Sequence, residues 1–105
     1  MLNEKIAQEQ VDKLAQAMLT LQSVEEARSF FEDILTVGEV QAIAQRLAVA
    51  QMLRRGTTYQ DIAENTGAST ATISRVNRAL TYGAGGYLSV LTRMEASAEA
   101  DKSEE

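Results

Sequence analysis

The amino-acid sequence predicts an all-α chain, and three observations carry that expectation. Apolar residues recur every three or four positions in successive segments, which is the helical period. The 105 residues include no Pro that would break those segments. Ser or Thr followed three residues later by Glu or Asp marks helix starts at Ser23–Glu26, Thr36–Glu39 and Thr58–Asp61.

From Lys5 to about Leu21, the residues Ala7, Val11, Leu14, Met18 and Leu21 form a narrow apolar seam. That stripe is closer to a coiled-coil contact than to a broad core face, so it can pack within its own chain or on a second copy. A second helix starts near Val24 and turns Ala27, Phe30, Phe31, Ile34 and Leu35 to one side. With aromatics at only 5% of the chain, the paired Phe residues are read as core. The longest helix spans about 38–55, with Val40, Ile43, Ala44, Leu47, Ala50 and Leu53 at helical spacing. Arg54 and Arg55 complement the dipole of its last turn, and Gly56 ends it. Arg46, halfway along among apolar neighbours, reads from its position alone as a snorkelling surface side chain.

The organising segment is Tyr59 to Arg78, YQDIAENTGASTATISRVNR. Ile62 and Ala63 face inward, Gly67 permits left-handed backbone angles, and Ser69 is a good N-cap. Ile73 and Val76, three apart, give the second helix one apolar stripe. Small Ala63 and Gly67 with branched Ile73 and Val76 let two helices cross steeply, which is the helix-turn-helix pattern. An αα-hairpin within a bundle is the alternative. Thr81–Tyr87, with three Gly in seven residues, predicts a turn, and Leu88, Val90, Leu91 and Met94 a last helix. The expected organisation is a helical DNA-binding and dimerisation domain over 1–94 and an acidic, disordered tail over 95–105.

Composition removes whole classes of function. Without Cys or His there is no soft metal site, disulfide, thiol nucleophile or histidine acid–base chemistry. Asp61 and Glu64 lie three apart, but no nucleophile–base pair or phosphate loop accompanies them, so no enzyme and no cofactor are expected. The start MLNEKIAQEQ lacks the order of a signal peptide, and no apolar run nears membrane-spanning length. A cytoplasmic protein with no membrane partner is expected. The net charge of −5 is unevenly spread: residues 46–93 carry six Arg against Asp61 and Glu64 alone, while both flanks are acidic. Phosphate contact depends on the local field, so the pI near 4.7 is a poor guide.

With LTVGEVQAIAQRLAVAQMLRRG (Leu35 to Gly56), TGASTATISR (Thr66 to Arg75) and YGAGGY in place, the chain resembles the Trp repressor family over about Phe30 to Met94. Within it, the resemblance is to the shorter Trp-repressor-related group of the YerC/YecD type. The resemblance implies an all-helical, intertwined homodimer whose N-terminal helices pack across the subunits. Two recognition helices would then face successive major grooves about 34 Å apart. In the family a tryptophan corepressor sits between two arginines, with a Thr capping the central helix. Thr36, Arg46 and Arg75 match those positions and define a candidate effector pocket. Tryptophan-responsive members carry Gly after the second arginine, where this chain has Val76. Two added methyl groups would clash with the indole or fill the site, which argues against tryptophan and leaves the effector open.

The candidate DNA contacts are Ser69, Thr70, Ala71, Thr72, Ser74, Arg75 and Arg78 on the second helix, with Gln60, Arg54 and Arg55 reaching phosphates. Thr70, Ala71 and Ser74 are the expected base readers by position in the family. The leading expectation is a sequence-specific transcriptional repressor, with double-stranded DNA and a second copy of itself as partners. The alternative is a helix-turn-helix used for protein–protein interaction, which short polar residues on the outward face disfavour.

Overall fold

Residues 3–103 are described by the computed structural model, and among them six helices follow one another without a strand. They are α1 (Glu4–Met18), α2 (Val24–Ile34), α3 (Val37–Arg54), α4 (Tyr59–Thr66), α5 (Thr70–Tyr82) and α6 (Gly86–Ser103). The chain divides into two compact units, Met1–Val40 and Gln41–Glu105, with the boundary inside α3. No helix among the described residues is long and apolar enough to cross a membrane.

In the first unit every helix start is chemically capped. The Asn3 side chain accepts the Lys5 N–H at 2.9 Å, and Ser23 Oγ accepts the Glu26 N–H at 3.0 Å. Ahead of α3 the box is reciprocal: Thr36 Oγ1 accepts the Glu39 N–H at 3.2 Å, and Glu39 Oε1 accepts the Thr36 N–H at 2.9 Å. Those hydrogen bonds, the backbone one first, hold the Glu39 carboxyl below its ordinary value of 4.5.

Neither α1 nor α2 buries a residue. Val11 is 63% exposed and Leu14 43%, along the seam expected from sequence. Phe30 and Phe31 are only half-buried, which corrects their reading as core. A helix with one apolar face buries its aromatics fully only when something covers that face, and periodicity does not say whether the cover comes from the same chain.

The core lies in the second unit. Val49 and Ala50 of α3, Ile62 of α4, Ala68 of the following turn, Ile73 and Val76 of α5 and Leu91 of α6 form one cluster. Leu47, Met52, Leu53, Ala63, Leu80 and Tyr87 pack around it, half-buried. Arg54 Nε meets Glu95 Oε1 at 2.7 Å, tying the end of α3 to α6. With both groups partly in solvent, that pair is worth at most about 1 kcal/mol. Residues 95–103, read from sequence as a frayed tail, continue α6 through Ser103. Ala, Glu and Lys tolerate the helix well, and neither Gly nor Pro follows Gly86 to stop it. Glu104 and Glu105, the end of that expected tail, lie outside the described residues.

Between α5 and α6 the glycines are not equivalent. A Cβ on Gly83 would overlap the Ala79 carbonyl oxygen, whereas one on Gly86 would meet nothing within 4 Å. Gly83→Ala should therefore destabilise the fold by about 2 kcal/mol, as an overpacked site does. Gly86→Ala should leave stability unchanged or raise it by about 0.5 kcal/mol. Thermal melting of the two variants side by side checks the asymmetry.

The Glu39 box sets a pH dependence at the start of α3. A carboxyl depressed by folding contributes stability above its unfolded value and loses it as pH falls through the folded one. The helical signal of the wild type should accordingly decline below about pH 4.5, more steeply than that of Glu39→Gln, which cannot titrate. Acid titration by circular dichroism would show parallel curves if the box contributed nothing.

Candidate nucleic-acid interface and adjoining cleft

The pair α4–α5 is built from its ends inward. Thr58 Oγ1 accepts the Asp61 N–H at 3.2 Å and starts α4. Gly67, at φ +73° and ψ 5°, ends it, with its own N–H on the Ala63 carbonyl at 2.9 Å. Only Gly holds that left-handed geometry without strain. The Thr66 hydroxyl donates to the Ile62 carbonyl at 2.7 Å and accepts the Ala68 N–H at 3.1 Å, bracing the turn from within. Ser69 then opens α5: its Oγ accepts the Thr72 N–H and donates to Thr72 Oγ1, both at 3.1 Å.

These bonds sort the predicted contacts. Ser69 and Thr72 spend their hydroxyls on each other and on the start of α5, and Thr72 is half-buried. Thr70, Ala71, Ser74, Arg75 and Arg78 are exposed on the side of α5 away from buried Ile73 and Val76. Thr70, Ser74 and Arg78 form one row four residues apart, with Ala71 and Arg75 beside it. The exposed tip is thus hydroxyl and methyl, with guanidinium groups further along. Asn77, outward by sequence, is half-buried. Gln60 is exposed in the first turn of α4. Arg54 is already paired with Glu95, and its Nη2 also lies 3.4 Å from Thr92 Oγ1. Arg55 is exposed and lines a groove of about 320 Å³ with Gln51, Leu91, Met94, Glu95, Ala98 and Glu99.

On another side of α5 lies a cleft of about 310 Å³ lined by Ala42, Gln45, Arg46, Thr72, Arg75, Val76, Ala79 and Tyr87. It brings together three of the four residues assigned to the effector pocket: Arg46, Arg75 and Val76. Thr36, the fourth, belongs to the first unit as the cap of α3. Val76 is 3% exposed and packs into the core, and the open volume of the cleft lies beside it. Sequence reasoning missed Ala42, Gln45, Ala79 and Tyr87 as lining residues, and placed Thr72 among the DNA contacts only. Ala42 stands four before Arg46, and Ala79 four after Arg75, so helical spacing could have found both. Tyr87 reaches the cleft from beyond the glycine turn, which no local spacing foretells.

Comparison with known proteins bears on this geometry. Residues 9–95 match the family described as Trp repressor protein. Over 92 residues the chain is 48% identical to YerC of Bacillus subtilis, itself an uncharacterized protein, covering 88% of each. A TrpR-like protein of Eubacterium eligens superposes with a TM-score of 0.81 at 53% identity, over 89% of this chain and 96% of the other. A solved chain from Staphylococcus aureus gives 0.81 at 47% identity, over 90% and 95%. The chain belongs to the Trp repressor family, within its YerC-type group.

Proposed function

We propose that this protein is a sequence-specific DNA-binding transcriptional regulator, acting as a repressor and as a homodimer through α4–α5. The observation that carries the reading is the exposed face of α5, whose tip is short and polar and whose following turns present Arg75 and Arg78. A helix tip of Thr70, Ala71 and Ser74 can approach base edges closely, offering hydroxyl groups for hydrogen bonds and methyl groups for thymine. Arg78 and Gln60 suit phosphate contacts that fix register. Arg54 would have to leave Glu95 to join them, so it contributes less than its position in sequence suggests.

The homodimer draws support from the first unit. Helices α1 and α2 bury nothing, yet Val11, Leu14 and Met18 keep one apolar seam at coiled-coil spacing. A second copy covers such a seam and sets two α5 helices on successive major grooves. The cleft beside α5 is the natural seat for an effector. Val76 on its wall, where tryptophan-responsive members have Gly, favours a ligand other than tryptophan.

Selection of bound sequences from random duplex, with and without added tryptophan, tests the reading. The expected outcome is a roughly palindromic site, bound with a steep salt dependence and unaffected by tryptophan. Ser74→Arg should change or abolish that preference while helicity is kept; an unchanged footprint would remove Ser74 from the readers. No preference and no salt-dependent duplex binding would favour a protein partner instead. Val11→Glu should leave a folded monomer, because the side chain is 63% exposed in the single chain. Sedimentation that still shows a dimer would exclude the α1 seam as its interface.

A further inference from the structure

We propose that Gln45 is a positioning residue for DNA reading: its side-chain amide, standing in the wall of the cleft, holds the turn between α4 and α5 at the angle that presents Thr70, Ala71 and Ser74. The assignment rests on the DNA-binding reading above and adds a residue that neither the family resemblance nor the motif singles out.

The geometry begins at the end of α4. A helix leaves its last carbonyls without intrahelical partners, and here the chain turns away at Gly67. The Thr66 carbonyl is met from α3: Gln45 Nε2 donates to it at 3.0 Å, across 21 residues of sequence and in a half-buried setting. The same nitrogen lies 3.9 Å from where a Gly67 Cβ would stand, so the amide abuts the turn itself.

The opposite end of the turn faces the same cleft. Thr72, also in the cleft wall, is hydrogen-bonded to Ser69, the cap from which α5 starts. The segment from Thr66 to Ser69 is therefore gripped at its first residue by Gln45 and at its last by Thr72, both of which line the cleft. Thr70 and Ala71 follow at once, and Ser74 is one helical turn further on. Base-edge hydrogen bonds tolerate displacements of only about 0.5 Å, so a small rotation of this turn separates discrimination from mere attachment. Both grips stand in the cleft wall, so an occupant placed against Gln45 would lie next to the bond that holds the turn.

The test compares affinity for the selected site with affinity for a scrambled duplex of equal length. Gln45→Met keeps the length and the charge and removes the donor. It should lose about tenfold in affinity for the selected site, the order expected for one partly buried hydrogen bond, while affinity for the scrambled duplex and the salt slope stay as in the wild type. Gln45→Lys restores a donor of sufficient reach and should recover most of the discrimination. Loss of both affinities in parallel, with a lowered melting temperature, would reduce Gln45 to an ordinary packing residue and overturn the proposal. Equal discrimination by wild type and Gln45→Met would overturn it as well. A wild type that binds no duplex sinks the DNA-binding reading and this assignment together, whereas the preceding two outcomes sink the assignment alone.

Discussion

Gly67 has to sit at φ +73° if α4 is to stop after Thr66 and α5 is to leave in a new direction within three residues. That requirement reaches outward through the second unit. An L side chain there would add about 1 kcal/mol or more of backbone strain, so the position belongs to Gly on energetic grounds. Ala68 next to it is 5% exposed, and a small residue is what lets the turn sink against the core. Once the turn is down, Ile62, Ile73 and Val76 close over Val49 and Ala50. The outward row Thr70, Ser74 and Arg78 then follows from helical geometry, because it is the far side of the same helix that buries Ile73 and Val76.

Burial is distributed in a way that separates two tasks. The second unit owns the buried cluster and can hold a fixed shape from its own contacts. In the first unit, α1 and α2 rest on caps and local hydrogen bonds, while large apolar side chains stay in solvent. Local caps contribute about 1 kcal/mol each, which is too little to set helix against helix. A unit of that kind gains order when a partner surface arrives, and its stability then depends on protein concentration. On the homodimer reading, assembly and reading thus use different helices, and a change on the α1 seam alters the number of reading helices without touching either one.

Features written in a few neighbouring residues were legible in the sequence. The caps at Ser23, Thr36, Thr58 and Ser69, the break at Gly67 and the inward pair Ile73 and Val76 each depend on residues within one or two turns, and each stands as expected. What could not be read depends on partners distant in sequence. Arg54 reads as a phosphate contact because it ends a helix near a reading motif, and the Glu95 carboxylate 41 residues later holds it. Gln45 reads as one more polar residue on α3, since its partner is a backbone carbonyl that carries no sequence mark. Phe30 and Phe31 show the same limit from the apolar side: their spacing states which face they share, and nothing in it states what covers that face. Val76 divides the two cases, because its inward direction is legible in the sequence while the Tyr87 wall of the cleft beside it comes from beyond the glycine turn.

The charge pattern explains why so much should rest on the geometry of one short turn. Helix α5 contains Arg75 and Arg78 and no acidic residue, so its exposed face is locally positive within a chain of net charge −5. Surface charges further away than about 8 Å are largely screened at physiological ionic strength, so acid elsewhere does not erase that local field. A net charge of −5 supplies none of the overall attraction by which strongly basic proteins cling to any duplex. On the DNA-binding reading, such a protein has little non-specific affinity to fall back on, and its selectivity would come from the few short contacts that small side chains make at the helix tip. Such contacts are lost with displacements that arginine–phosphate pairs would tolerate. On that reading the hydrogen bonds that fix the turn, Gln45 to the Thr66 carbonyl among them, belong to the recognition apparatus as much as the side chains at the tip.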